Sequence, residues 1–103
     1  MAADQSLREC TKYSSPAVDA VTVISTRPAK VCAMECTSTR TGGKAALWDS
    51  TDSVLTDNTD DIVAETAASV SGNTASTGKI ERYTNYGLVV DASGCAVTLS
   101  WVD

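Results

Sequence analysis

The stretch Cys95–Val102, CAVTLSWV, decides the fold because apolar side chains alternate along it with small or polar ones. In a strand, residues two apart point to the same face. One face therefore carries Cys95, Val97, Leu99 and Trp101, and the other carries Ala96, Thr98 and Ser100. This period of two predicts a strand that buries one face and exposes the other.

Together with this strand, three further segments form two pairs of strands, and each pair is joined by a turn sequence that predicts a hairpin. Gly87–Asp91 (GLVVD) is rich in valine and reaches the last strand through the turn sequence Ala92-Ser93-Gly94. Earlier, Val31–Ser38 (VCAMECTS) and Lys44–Ser50 (KAALWDS) flank Thr41-Gly42-Gly43, where paired glycines accept the positive φ angles of a tight turn. Each pair of strands is expected to form an antiparallel hairpin.

The remaining segments are less sharply patterned. Val18–Ser25 (VDAVTVIS) predicts another strand, which ends at Arg27-Pro28 because proline has no N–H to contribute to a ladder. Residues 60–70 (DDIVAETAASV) fit either a helix or an edge strand. Gly72–Gly78 predicts a polar linker at the surface or over a sheet edge, and Lys79–Tyr83 predicts a short strand.

Composition supports an all-β fold. Leu, Ile, Val and Phe total only 19 of 103 residues, but Val outnumbers Leu, and Ser plus Thr reach 26. Val and Thr suit the half-buried surface of a sheet. Six or seven short strands joined by polar turns predict an antiparallel β-sandwich of jelly-roll type. Residues 1–17 are polar and irregular, so we expect an extended N-terminal arm there and a sandwich domain over residues 18–103.

Composition also excludes several classes of function. The chain has no histidine, so a Ser-His-Asp triad, a Cys-His pair and a histidine-bearing zinc site are absent. The formal net charge of −5 argues against nucleic-acid binding, which depends on Lys and Arg. Apolar runs are too short to span a membrane. No nucleophile motif or phosphate-binding loop is present, so we expect no enzymatic activity and no cofactor.

The four cysteines are the first candidates for chemistry. Cys32 and Cys36 would share a strand face with Cα atoms about 13 Å apart, too far for a disulfide. Either could meet Cys95 across the core. Residues 1–12 lack the apolar stretch of a secretory signal, so we expect a reducing cytoplasm and buried free thiols, with a core disulfide or a metal site as alternatives.

Acidic and aromatic residues are the other candidates. The acidic loop holds Asp49, Asp52, Asp57, Asn58, Asp60 and Asp61, which could ligate calcium, but its spacing fits no calcium loop and a solvated loop is the expected role. Trp48, Trp101, Tyr83 and Tyr86 could form a sugar-binding platform if exposed. With no phenylalanine in the chain, we expect these rings to supply packing volume instead.

Two runs, RPAKVCAMECTSTRTGGKAALWDSTDSV and YGLVVDASGCAVTLSWVD, resemble small structural proteins of tailed bacteriophages. The shared layout is a strand, a glycine turn, a strand ending in an apolar residue and Asp, a polar stretch, and two final strands. The pieces that match are Lys44–Asp49, Gly87–Asp91 and Cys95–Val102. The resemblance implies a β-sandwich or jelly-roll module that decorates a head or forms part of a fibre or tail, commonly as a trimer.

On that resemblance we expect a capsid decoration (cement) protein, made in the host cytoplasm, that binds the major capsid protein on the virion surface as a homotrimer, without nucleic acid or membrane. Location and chemistry suggest Leu7, Arg8, Lys12 and Tyr13 as contacts of the arm with its partner. The alternatives are a receptor- or glycan-binding module of a tail or head fibre, and a secreted carbohydrate-binding domain.

Overall fold

The computed structural model describes residues 9–55 and 61–103, and within these ranges the chain forms nine strands and no helix. The strands are β1 (Lys12–Ser14), β2 (Ala20–Ser25), β3 (Lys30–Ser38), β4 (Gly43–Asp49), β5 (Asp61–Ala68), β6 (Thr74–Ser76), β7 (Arg82–Tyr83), β8 (Leu88–Ser93) and β9 (Cys95–Val102).

These strands form two antiparallel sheets. Sheet I has the order β1–β9–β3–β6, with β7 also paired to β3, and sheet II has the order β2–β8–β4–β5. Every pairing is antiparallel. The predicted all-β, antiparallel architecture is therefore confirmed.

The core lies between the inward faces of the two sheets. Its buried members are Ala29, Val31, Met34, Cys36, Ala45, Leu47, Ala68, Leu88, Val90, Ala92, Cys95, Val97, Leu99 and Trp101. Strand β9 follows its alternation, because its four predicted inward residues are buried whereas Ala96 and Thr98 are exposed. The prediction from the last strand is confirmed residue by residue.

Both predicted hairpins are wrong, because each turn carries the chain from one sheet to the other. β3 lies in sheet I and β4 in sheet II, and β8 and β9 are divided in the same way. Gly94 alone connects β8 to β9, with a left-handed φ of 65°. Each strand of these pairs has an apolar inward face, and placing the two strands in opposite sheets lets those inward faces bury each other.

The weakly patterned segments resolve into edge strands. β5 (Asp61–Ala68) forms the outer edge of sheet II, so the strand alternative is confirmed for residues 60–70 over the described part. The segment Gly72–Gly78 contains β6, which pairs with β3 at the edge of sheet I. The strand predicted at Lys79–Tyr83 is shorter than expected and covers only Arg82–Tyr83.

The segment predicted as an arm contains β1, which pairs with β9 at the edge of sheet I. The ammonium of Lys12 lies 2.6 Å from a carboxylate oxygen of Asp103 and 4.9 Å from the centre of the Trp101 ring. The indole N–H of Trp101 donates to the hydroxyl of Ser14 at 2.9 Å. The division into an arm at 1–17 and a domain at 18–103 stays a prediction, with residues 12–14 of that arm paired to the sandwich.

Three connections meet at one end of the molecule, around Asp19. Its carboxylate accepts a hydrogen bond from the backbone N–H of Gly94 at 2.6 Å and one from the guanidinium of Arg40 at 2.8 Å. Asp19 itself has a left-handed φ of 56°. The bond from Arg40, followed by the one from Gly94, lowers the pKa of the Asp19 carboxyl below its ordinary value. This carboxylate joins the loops before β2, after β3 and after β8.

Replacing Asp19 by asparagine should remove a pH-dependent part of the stability. A carboxyl whose pKa is lowered by folding stabilises the native state above its unfolded pKa, and this contribution disappears as pH falls through the folded pKa. The melting temperature of D19N should therefore fall below that of the parent chain at pH 7, and the difference should shrink as pH falls below about 4, the ordinary pKa of an aspartate. Asparagine accepts the left-handed backbone, so the comparison isolates the charge.

The control for this prediction is Asp61→Asn, which alters an exposed carboxylate that forms no ion pair or side-chain hydrogen bond within the described chain. Thermal unfolding followed by circular dichroism at pH 7 and at pH 3 measures the effect. A constant difference between D19N and the parent chain from pH 7 to pH 3 would contradict the electrostatic role of Asp19.

Candidate functional site

The outward faces of the two sheets differ in chemistry. On sheet I, neighbouring strands present Glu35, Thr37, Thr74, Ser76 and Thr98. The hydroxyls of Thr37 and Thr74 form a hydrogen bond of 2.8 Å across the β3–β6 pair. Apart from the exposed ring of Tyr13, which lies on the edge strand β1 and pairs with Ser100, this outward surface is polar and suited to water.

Sheet II presents instead what we call the apolar face, formed by Val21 and Val23 of β2, Ala46 and Trp48 of β4, and Ile62 of β5. Cross-strand pairing aligns Val23 with Val89, Val89 with Trp48, and Trp48 with Ile62. The exposed fractions of Val21, Val23 and Ile62 are 36%, 38% and 46%. Exposed apolar side chains therefore lie at both edges of this surface, Val21 and Val23 on β2 and Ile62 on β5. Exposed apolar groups that share one surface are typical of an interaction site.

Trp48 and Val89 are buried on this outward side and do not belong to the core. Trp48 is only 8% exposed and Val89 is fully buried, but neither is a member of the core between the sheets. The indole N–H of Trp48 is enclosed and has no hydrogen-bond partner. An unsatisfied buried donor costs about 1–3 kcal/mol, so this orphaned group requires a physical explanation.

A cavity of about 180 Å³ opens beside Trp48 on the same face. Its lining residues are Lys44, Ala45, Ala46, Trp48, Ile62, Glu65, Asp91 and Ser93. Asp91 and Glu65 lie opposite Ala46 on its two neighbouring strands, so the three residues form one row across the sheet. Because the side chain of Ala46 is only a methyl group, the surface has a depression between the two longer carboxylate side chains.

The charged groups around the cavity are not neutralised internally. Lys44, Glu65, Asp91 and Ser93 form no ion pair or side-chain hydrogen bond with any other residue in the described ranges. The ion pairs found there join Lys12 to Asp103, Lys30 to Glu81 and Arg40 to Asp19. The cavity therefore combines an apolar floor, an enclosed N–H donor and polar groups that are free to bind a partner.

The residues predicted to contact a partner through the arm are only partly described. Leu7 and Arg8 lie outside the described residues. Tyr13 is 73% exposed on β1, and Lys12 is engaged by Asp103 within the chain. These two residues lie at the edge of sheet I, not beside the cavity of sheet II, and their role in partner binding stays a prediction.

The cysteines divide into a disulfide and a pair of free thiols. Cys10 is joined to Cys32, whereas Cys36 and Cys95 are free and buried. The prediction of buried free thiols is confirmed for the second pair and wrong for the first. The ladder between β3 and β9 shifts register from Val31 to Ala33, so Cys32 lies at an irregularity instead of on the inward face where it was expected.

Burial, followed by a hydrogen bond with Cys36, raises the pKa of Cys95 to about 12. Its thiol stays protonated at neutral pH and donates to the backbone carbonyl of Lys44 at 3.2 Å. Because the thiolate is the reactive form, this environment makes Cys95 a packing residue and not a nucleophile.

The acidic segment contributes to structure where it is described. The Asp49 carboxylate accepts backbone N–H groups of Asn85, Tyr86 and Gly87 at 2.8, 2.9 and 3.3 Å, and it thereby holds the turn that leads into β8. Asp57, Asn58 and Asp60 lie outside the described residues. Among residues 9–55 and 61–103, no group of three or more metal-ligating side chains is assembled.

The aromatic rings also divide into two groups. Trp48 and Trp101 are buried, as expected for residues that supply packing volume. Tyr13, Tyr83 and Tyr86 are exposed. A platform for sugar stacking would therefore have to use tyrosines, because neither tryptophan presents its face to solvent.

The cavity was not found from sequence because its members come from three strands whose pairing is non-local. Two signals pointed toward it. Leu47 and Trp48 are consecutive large apolar residues, which lie on opposite faces of a strand and so require burial on both sides. Leu88-Val89-Val90 has the same property. Both signals indicate that sheet II is covered on its outward side as well as its inward side.

In comparisons with known proteins, no protein-family model, curated protein or solved structure matches the chain. A search of the described residues found no helix with the length and hydrophobicity needed to cross a membrane.

Proposed function

We propose that this chain is a structural protein of a bacteriophage virion that decorates the capsid and stabilises the shell by binding the major capsid protein. The observation that carries the proposal is the apolar face of sheet II, which opposes a polar outer face on sheet I. A small domain with one water-exposed apolar surface is suited to burying that surface against another protein.

We infer further that the sandwich is of jelly-roll type. The strand orders β1–β9–β3–β6 and β2–β8–β4–β5 support this inference, because the first strand pairs with the last and the second with the one before it. Both ends of the chain thus wrap around a central pair of consecutive strands, β4 and β5. This arrangement is the pattern of paired Greek keys. Such folds are common in viral capsid domains.

Size and covalent structure are consistent with an assembled, exposed protein. A chain of 103 residues has a thin core, so association as a homotrimer would add buried area that the monomer lacks. Repetition of a weak contact over a shell gives strong attachment through avidity. The Cys10–Cys32 disulfide suits an oxidising exterior, and virion surfaces are among the places where disulfides persist.

Two surfaces have separate roles in this proposal. The apolar face of sheet II binds the major capsid protein, and the N-terminal segment with Leu7, Arg8 and Tyr13 reaches a neighbouring subunit. Lys12 holds the base of that segment through its ion pair with Asp103.

The test measures how much protein is attached to phage particles. Particles purified by density gradient from the culture that produces the protein should carry it at a ratio near one per major capsid subunit. Val23→Lys, which places a charge on the apolar face, should lower this occupancy at least tenfold. The control is Thr98→Lys on the outer face of sheet I, which should leave occupancy unchanged.

Two results would contradict the proposal. One is the absence of the protein from purified particles, or its presence at only a few copies, which would indicate a tail or fibre part. The other is equal occupancy for V23K and the parent chain, provided that circular dichroism shows V23K to be folded. Binding of the protein to a glycan array without attachment to particles would favour the glycan-binding alternative.

A further inference from the structure

We propose that the cavity beside Trp48 receives an arginine side chain from a peptide segment of the protein partner. The inference rests on the proposed function in one respect, since it assumes that the apolar face binds a protein. It adds the chemistry of the contact: a guanidinium between the carboxylates of Asp91 and Glu65, with the partner's main chain beside Trp48.

The spacing of the two carboxylates suits a guanidinium. Asp91 and Glu65 lie opposite Ala46 on the strands at either side of it. Neighbouring strands are about 4.8 Å apart, so the two α-carbons are separated by about 10 Å across the small alanine. A planar guanidinium offers several N–H donors in a fixed arrangement and can donate to carboxylates on both sides.

Electrostatics favour a cation at this place. Neither carboxylate pairs with a basic residue in the described ranges, and Lys44 lies outside ion-pair distance of both. The cavity carries two carboxylates and one ammonium, and the whole chain carries a net charge of −5. An arriving cation therefore meets unpaired negative charge and is attracted toward it from a distance.

The floor of the cavity favours a side chain with an apolar stem. Ala46, Trp48 and Ile62 line it, and the three methylenes of arginine pack against such surfaces while the charged end remains with its acceptors. The cavity of about 180 Å³ is smaller than the pockets that hold drug-sized ligands. It is suited to one side chain.

The orphaned indole N–H of Trp48 distinguishes a peptide from a free cation. This donor is enclosed without an acceptor, and a metal ion or an isolated guanidinium has none to offer. A peptide does offer an acceptor, the backbone carbonyl next to its arginine. Satisfying a buried donor on binding removes a penalty that the free protein carries.

The experiment is an NMR titration of the ¹⁵N-labelled full chain with the blocked tripeptide Ac-Ala-Arg-Ala-NH₂. The indole N–H signals of Trp48 and Trp101 are separate reporters, and a Trp48→Phe variant assigns them. The Trp48 signal should shift saturably. The Trp101 signal should not move, because its N–H is already bonded to Ser14 on sheet I. The peptide Ac-Ala-Gln-Ala-NH₂ is the uncharged control and should give no saturable shift.

Two variants test the carboxylates. Asp91→Asn and Glu65→Gln should each weaken binding of the arginine peptide at least tenfold. The matched control is Glu35→Gln, which removes a carboxylate from the outer face of sheet I and should leave the affinity unchanged. Substituting an amide preserves the size of each side chain, so the folded structure is retained.

Three outcomes would overturn the inference: no saturable shift at Trp48, equal shifts with the arginine and glutamine peptides, or a shift at Trp48 caused by monosaccharides but not by the arginine peptide. Particle occupancy of Asp91→Asn separates this result from the proposed function. If D91N attaches to particles like the parent chain while V23K does not, the arginine contact is wrong and the capsid-binding face stands. If the parent chain binds the arginine peptide but does not attach to particles, the proposal for the cavity is supported and the proposed capsid function is contradicted.

Discussion

Replacing Leu99 by alanine is expected to lower the free energy of unfolding by about 2–5 kcal/mol. Leu99 is fully buried at the middle of β9 and pairs across the ladder with Met34, which is also fully buried. Truncation removes buried methyl groups and leaves a cavity in a core that contains no phenylalanine to rearrange into it. Urea unfolding followed by tryptophan fluorescence measures the change.

The control for this prediction is the adjacent residue. Thr98 is exposed on the opposite face of β9, and Thr98→Ala should change the free energy of unfolding by less than about 0.5 kcal/mol. Similar losses at positions 98 and 99 would show that the alternation of β9 does not separate core from solvent.

Removing the Cys10–Cys32 disulfide has the next largest expected effect. The bridge closes a segment with a sequence separation of 22, for which loop-closure entropy gives a stabilisation of about 3 kcal/mol. The double variant Cys10→Ala/Cys32→Ala should be less stable by about this amount in urea unfolding. The backbone amides of Tyr13 and Ser14 should also exchange faster, because β1 has only three residues to hold it to β9.

Reduction supplies the control for the disulfide. A reducing agent should destabilise the parent chain to the level of the double variant and should leave the double variant unchanged. Unreduced parent protein unfolded in denaturant should expose two thiols, from Cys36 and Cys95. Four reactive thiols in that assay would contradict the bridge and favour assembly in a reducing compartment.

Local patterning was sufficient where one strand face meets the core. β9 and β3 have nearly the bounds that their sequences predict, and the edge strand in residues 60–70 was one of two stated alternatives. Local patterning failed at Cys32, where the ladder with β9 shifts register. Such a shift reverses the face of the sheet to which a residue points, and it is set by the partner strand. The disulfide to Cys10 follows from the same local irregularity.

The interaction surface shows the same limit. Val21 and Val23 alternate with Thr22, a pattern that fits burial of the valines. In the structure they point outward, whereas Thr22 is half-buried on the inward side with Ile24. Alternation indicates that the two faces of a strand differ in polarity, but it does not indicate which face packs against the other sheet.

The sequence by itself determined that this chain is a β protein, where its principal strands run and that its chemistry lacks histidine, since these depend on residues close together in the chain. Only the tertiary structure decided that adjacent strands separate into opposite sheets, that Cys10 meets Cys32 and that Asp91, Ala46 and Glu65 form one row. The reason is physical: strand pairing is governed by burial of surfaces contributed from distant segments, and turn sequences of the same kind serve both a hairpin and a crossing between sheets.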